Sequence, residues 1–177
     1  MNDAEHDLLV LEAQDGSRAA FGRLARHHHP GLLRYARSLA RDPALAQDAV
    51  QDGWLTVVGK LRRLDDPRAF RGWLYHAVRW RVLDRLNART RRGEEPLPEP
   101  AREPAADDSA RRDRRLDLDV GLARLHPGER EVLQLFYLRG LCVADIAVAL
   151  EVPAGTVKSR LYRARQQLKT ILEGDET

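Results

Sequence analysis

Residues 143–169 read VADIAVALEVPAGTVKSRLYRARQQLK, and the break between two helical patterns in this stretch decides the fold. Ile146, Ala147 and Leu150 fall on one face at helical spacing, with Ala147 small enough for a second helix to cross closely and Val157 as the expected packing partner. Val152-Pro153 interrupts the pattern, because a residue before proline avoids the helical region and proline suits the first turn of a new helix. From Ala154 to Ile171 the chain carries Lys158, Arg160, Arg163, Arg165 and Lys169 and no acid, while Val157, Leu161, Ala164 and Leu168 keep an apolar stripe. Like charge without compensation is a cost unless an anionic partner relieves it, which argues against an ordinary solvated amphipathic helix. Two helices at a tight turn, the second cationic, form the pattern of a helix-turn-helix, whose second helix enters the major groove with its N-terminal residues toward base edges. That geometry nominates Thr156, Lys158, Ser159, Arg160 and Arg163.

The composition around this stretch excludes several classes. At 177 residues, 43% hydrophobic and 32% charged, the chain is long enough for one or two domains with real cores and is not a disordered one. A net charge of +3 understates the electrostatics, because the charges are segregated along the sequence. The single cysteine, Cys142, rules out an internal disulfide framework and a cysteine-rich zinc site, and fits a reducing, cytoplasmic compartment. The N-terminus, MNDAEHDLLVLEAQDG, is acidic where a signal peptide is basic, and no apolar run approaches the roughly 20 residues that span a bilayer. Neither export nor membrane insertion is expected. Strand signals are nearly absent, so an all-α protein is expected, with no cofactor.

Upstream, residues 4–14 form a short helix ended at Asp15-Gly16, and Ser17 caps the next. Phe21, Leu24, His28, Leu32, Tyr35, Ala36 and Leu39 continue one apolar stripe to about residue 40, with Pro30 a candidate kink. Asp42-Pro43 places a cap before proline at the first helical position, opening a helix that runs to about Leu64. Its buried stripe is Val50, Trp54, Val57, Val58 and Leu61, which leaves Gln47, Asp48, Gln51 and Asp52 on an exposed acidic early face. That face suits a basic partner or complements the helix dipole, and the residues alone do not choose. Asp65-Asp66-Pro67 repeats the capping device. From Lys60 to Arg92 there are eleven basic residues against three acids, interleaved with Phe70, Trp73, Tyr75, His76 and Trp80. Cations that track a backbone and aromatics that stack bases are the ingredients of single-strand binding. Phe70, Trp73, Leu74, Ala77 and Val78 also fit a core stripe; Trp80, flanked by Arg79 and Arg81, does not.

From Gly93 to Ala110 the chain reads GEEPLPEPAREPAADDSA, with four prolines, six acids and one arginine, a composition that packs no core and reads as an extended linker. Its net charge of −5 between two basic segments suits either a cationic channel or plain spacing. After it, Leu118, Leu122 and Leu125 form a helix ended by His126-Pro127; Pro127 to Leu138 forms another, with Val132, Leu135 and Phe136 inward and a stop at Gly140. Residues 1–92 and 116–177 are therefore expected as two helical domains, joined by a linker over 93–115.

Several segments together resemble bacterial RNA polymerase sigma factors of the small, two-domain extracytoplasmic-function class. The resemblance covers most of the chain and rests on FGRLARHHHPGLLRYARSLARDPALAQDAVQDGW, FRGWLYHAVRWRVLDRL, ARLHPGEREVLQLFYLRGL and PAGTVKSRLYRAR, in matching order and spacing. It implies a promoter-recognition subunit. The helix matching Ala46 to Leu61 is expected to bind the clamp helices of the polymerase β′ subunit through Asp48, Gln51, Asp52 and Trp54. The segment matching Asp65 to Arg85 is expected to open and read the −10 element as a melted strand, through Arg68, Arg71, Trp73, His76, Arg79, Trp80 and Arg81. The C-terminal domain is expected on the β flap, reading the −35 duplex with Thr156, Lys158, Ser159, Arg160 and Arg163. Three departures stand out: Trp80 where asparagine is common, Glu151 in place of the usual turn glycine, and Cys142 where serine or threonine normally caps, the last two expected to weaken the motif locally. Two domains on a flexible tether would also suit an anti-sigma factor that hides both DNA faces. The rival reading, a stand-alone helix-turn-helix regulator, leaves the aromatic-basic helix and the acidic linker unexplained. A metal enzyme built on His27, His28 and His29 with Asp48 and Asp52 fails on geometry, because successive histidines cannot share a helix face.

Overall fold

The computed structural model describes residues 1–93 and 121–174, with side chains described through Ile171. Among the described residues there is no strand, and the chain divides into two compact helical units. The expected helix through Leu118 begins outside the described residues; residues 121–124 are helical and Leu125 is buried. Residues 94–115 of the expected linker lie outside them too.

The N-terminal unit holds α1 (Asp3–Gln14), α2 (Arg18–Ala40), α3 (Pro43–Lys60) and α4 (Phe70–Arg91). Local chemistry sets their ends. Asn2 accepts from the Glu5 amide and caps α1, Gly16 leaves the helix at φ +100°, and Ser17 accepts from the Ala20 amide to start α2. Helix α2 continues through Pro30 to Ala40. Asp42 accepts from the Ala44 and Leu45 amides at 2.9 and 3.1 Å, and its other oxygen pairs with Arg89 at 2.6 Å, tying the start of α3 to the end of α4. Burial pushes the Asp42 carboxyl up, but the Leu45 amide, Arg89 and the Ala44 amide outweigh it and hold it below the ordinary carboxylate range.

Between α3 and α4 the chain makes two single turns of tighter helix, Leu61–Arg63 and Pro67–Ala69, so α3 stops four residues short of the expected end near Leu64. The Gln14 side-chain amide donates to the carbonyls of Leu61 and Leu64 at 3.0 and 2.6 Å, fastening α1 under this connection.

The core is Leu24, Leu32, Tyr35, Val50, Val57, Phe70, Leu74 and Val78, all fully buried. Two expectations need correction. Val58 is 56% exposed, and Trp54 is only half-buried. Val50, Val57 and Leu61 are buried as expected, and Leu45, Ala46, Ala49 and Gly53 complete the stripe. Gly53 sets it: a Cβ there would lie 2.6 Å from Val78 Cγ2, so only glycine permits the α3–α4 crossing at this distance.

The C-terminal part of the chain holds α5 (Pro127–Leu133), continued by a wider turn over Gln134–Leu138, then α6 (Val143–Leu150) and α7 (Ala154–Gly174). The widened turn leaves Phe136 half-buried rather than inward and puts Leu133 into the core beside Val132 and Leu135. Ile146, Ala149, Leu150, Val157, Leu161 and Ala164 are buried, while Ala147, expected at the close crossing of the two helices, is half-buried. Glu151 adopts φ +54°, the left-handed conformation that favours glycine.

Cys142 does cap α6. Its Sγ accepts from the Asp145 amide at 3.4 Å, and the Asp145 carboxylate accepts from the Cys142 amide and thiol at 3.4 and 3.3 Å. This is a capping box with sulfur in the place of oxygen and correspondingly longer, weaker bonds.

Candidate nucleic-acid interface

The face of α4 turned from the core carries Trp73, His76 and Trp80, spaced three and four residues apart and so aligned on one side of the helix. Trp73 and His76 are half-buried, while Trp80 is 51% exposed. The expectation that Phe70, Leu74, Ala77 and Val78 serve the core holds, and Gly72 and Tyr75 join them.

The arginines are not loose. Arg68 donates Nε and Nη2 to the two oxygens of Asp66 at 3.0 and 3.1 Å, while the same carboxylate caps the turn by accepting the Arg68 amide. The Arg68 guanidinium and amide hold the Asp66 carboxyl below its usual range, and Asp66 in turn raises Arg68. Both are exposed, so solvent screens the pair. Arg71 donates to Asp3 of α1 at 2.6 Å. Arg81 donates to the Thr56 hydroxyl at 3.1 Å and lies over the Trp80 ring, 5.0 Å from its centroid. Arg79 is half-buried and also has a partner.

On α3, Asp48 and Gln51 are exposed and Asp52 is half-buried. Arg85 of α4 bridges the two acids, at 2.6 Å from Asp52 and 3.7 Å from Asp48. Leu55 and Val58 beside them are exposed, so this surface is mixed rather than purely acidic. Trp54 packs edge-on against Phe21, ring centroids 5.6 Å apart, and its indole N–H meets no acceptor among the described residues.

In the C-terminal unit, α7 turns Val157, Leu161 and Ala164 inward. Lys158 and Ser159 point outward, and the Ser159 hydroxyl donates to the Thr156 carbonyl at 3.0 Å. Arg160 lies on the flank over Gly128, and Arg163 donates Nε to the buried Glu129 of α5 at 2.9 Å. Thr156, Lys158 and Ser159 thus stand at the open N-terminal end of α7, while Arg160 and Arg163 border α5. Sequence reasoning passed over Tyr162, which is 64% exposed and shares the open face with Lys158 and Ser159 at helical spacing. The spacing from Lys158 was the available signal.

Of the three consecutive histidines, only His28 enters the core; His27 and His29 are exposed. His28 meets buried His6 with their Nε2 atoms 3.0 Å apart, and both pack against Phe70.

A helix-turn-helix with a cationic second helix, in one chain with an arginine-rich helix that displays an open tryptophan, has the surfaces of a two-part nucleic-acid-binding protein. Residues 24–92 match the family model of Sigma-70 region 2, and residues 115–168 match that of Sigma-70, region 4. The chain is 34% identical over 171 residues to the ECF RNA polymerase sigma factor SigM of Mycobacterium tuberculosis, covering 97% of this chain and 85% of that protein. It is 29% identical over 196 residues to the RNA polymerase sigma factor CnrH of Cupriavidus metallidurans, covering 99% of this chain and 98% of that one. Among solved structures, CnrH in complex with the cytosolic domain of CnrY superposes with a TM-score of 0.68 at 26% identity, covering 97% of this chain and 99% of CnrH. The sigma factor RpoE of Bartonella quintana, in complex with the anti-sigma factor NepR, gives 0.66 at 26% identity over 86% of this chain and 96% of RpoE. The chain belongs to the extracytoplasmic-function family of RNA polymerase sigma factors. It is a transcription initiation factor that acts with core RNA polymerase at promoter DNA.

Proposed function

We propose that the division of labour within this sigma factor follows its two surfaces. Residues 1–92 engage core polymerase and the −10 element, residues 93–115 form the linker, and residues 116–177 read the −35 element. Asp48, Gln51, Asp52 and Trp54 of α3 face the β′ clamp helices, with Arg85 holding the two acids in place. Arg68, Arg71, Trp73, His76, Arg79, Trp80 and Arg81 meet the melted −10 strand. Thr156, Lys158, Ser159, Arg160 and Arg163 meet the −35 duplex while the same domain sits on the β flap. The observation that carries this reading is the open tryptophan amid arginines on α4, since a duplex reader alone has no use for a stacking surface.

Arg71, Arg81 and Arg163 reach DNA only by sharing or leaving Asp3, Thr56 and Glu129, so they contribute to phosphate attraction more than to base reading. The chain acts by binding alone, without a catalytic step of its own, in the cytoplasm where its polymerase works. Among the described residues no helix is long and apolar enough to cross a membrane. The similar structures of CnrH with CnrY and RpoE with NepR support an anti-sigma factor as a further partner.

The test separates the two surfaces in reconstituted polymerase. Lys158→Ala should weaken binding to an intact upstream duplex and spare binding to a pre-melted bubble, and Trp80→Ala should do the reverse. Equal effects of both variants on both probes would refute the division.

A further inference from the structure

Helix α1 is seated on the N-terminal unit by one narrow face. Of its side chains only His6, Leu9 and Val10 are buried, so a titratable group stands among the three that hold it. His6 reaches across to α2, where its Nε2 lies 3.0 Å from Nε2 of buried His28, and both rings lean on Phe70, the first residue of α4. Two imidazole nitrogens at that distance share one proton, with one ring donating and the other accepting. An added proton sets donor against donor. The groups facing the pair do little to relieve it. Asp7 of α1, 3.3 Å from His6 Nδ1, favours a charge on His6, while His27 of α2 and Arg71 of α4 oppose one on either ring. Glu5 and the N-terminal amine act on His27 in opposite senses.

The same helix braces the connection between α3 and α4. At one end the Gln14 side-chain amide donates to the carbonyls of Leu61 and Leu64, and at the other Asp3 accepts from Arg71 at 2.6 Å. The braced segment carries Arg68 and runs directly into Phe70 and Arg71. With 12 residues, α1 has a length that is marginal for a helix alone in water, so leaving its seat removes both ends of the brace.

We propose that His6 and His28 form an acid-sensitive latch on α1, an inference that rests on the proposed −10 contact. A proton on the pair releases α1, the segment that positions Arg68 and Arg71 loosens, and the grip on the melted strand weakens while duplex reading by α7 is untouched. The sign follows from burial. Both histidines are pushed below the ordinary value of 6.5, His28 to about 3, so the docked helix binds fewer protons than the released one. The latch therefore holds above pH 6.5 and gives way below it. From pH 7.5 to 5.5 each histidine freed to titrate at 6.5 raises the release equilibrium about tenfold, and the two together up to about a hundredfold.

The experiment compares the full chain at pH 7.5 and 5.5 with a His6→Gln/His28→Gln double variant, which keeps polarity without titrating. Hydrogen exchange, corrected for the intrinsic rate at each pH, should show the Leu9 and Val10 amides losing about tenfold protection or more in the native chain, and those of Leu74 and Val78 in α4 losing less. With core polymerase, affinity for a pre-melted bubble should fall about threefold or more at the lower pH, and affinity for an intact upstream duplex less than about twofold. The double variant should show neither the exchange change nor the bubble change, and His28→Gln alone, which leaves His6 to titrate, should fall between. Equal loss of protection in α1 and α4, or the same pH response in the native chain and the variants, overturns the latch. Release of α1 with bubble affinity unchanged overturns its link to the promoter. Failure of the native chain to favour the bubble at pH 7.5 strikes the proposed function instead, and leaves the exchange result to decide the latch.

Discussion

Lowering the pH from 7.5 to 5.0 should strip stability from the N-terminal unit through the His6–His28 pair. With the two Nε2 atoms 3.0 Å apart, one ring must donate and the other accept, so an added proton sets two N–H groups against each other. Burial pushes His28 down to about 3, and His6, His27 and Arg71 act in the same direction. Burial also lowers His6, against the opposing hydrogen bond to Asp7. A histidine depressed by folding binds fewer protons folded than unfolded. Its stability contribution is therefore intact above the unfolded value of 6.5 and is lost as pH falls toward the folded one. At about 1.4 kcal/mol per pH unit, His28 alone removes roughly 2 kcal/mol by pH 5.0, a large share of the 5–15 kcal/mol that holds a typical domain. Urea unfolding at both pH values, for the native chain and for His28→Gln, isolates the effect, because glutamine keeps polarity without titrating. The native chain should lose about 2 kcal/mol more than the variant. Equal losses would refute the buried neutral pair.

Three further outcomes follow from the packing and the charges. Gly53→Ala should destabilise by about 1–2 kcal/mol in thermal unfolding, because overpacking against Val78 exceeds the gain in helix propensity. Glu151→Gly should stabilise the turn between α6 and α7 by about 0.5–1 kcal/mol by relieving left-handed strain, read as a raised midpoint in urea. Lys158→Ala should reduce the salt dependence of promoter binding by about one unit of slope, with little change in sequence preference.

Helix ends were legible because they are decided by neighbours in sequence: Asp42-Pro43, Asp66-Pro67, Ser17 and Gly16 all do what their chemistry predicts. The exposure of Trp80 and of Lys158 could be read from flanking charge for the same reason. Which arc of a helix is covered depends on the partner, and there the periodicity slipped. Val58 and Val57 lie close enough around α3 for both to suit a core stripe, and only the approach of Val78 to Gly53 chooses between them. The site suffered most from long-range pairing: Asp3 to Arg71, Thr56 to Arg81, Glu129 to Arg163 and His6 to His28 join residues from separate helices, which no local pattern can display. Cys142 was expected to weaken its cap because serine or threonine is usual; the thiol still makes the bonds, at the greater length sulfur imposes.

Run-off transcription from a randomised promoter library, with core polymerase in the presence and absence of this chain, bears most directly on the role of the two helical surfaces. Transcripts from a restricted set of promoters should emerge only when the chain is added, and Trp80→Ala and Lys158→Ala should each diminish them. Equal transcription without the chain, or tight promoter binding by the chain with no polymerase present, would contradict it.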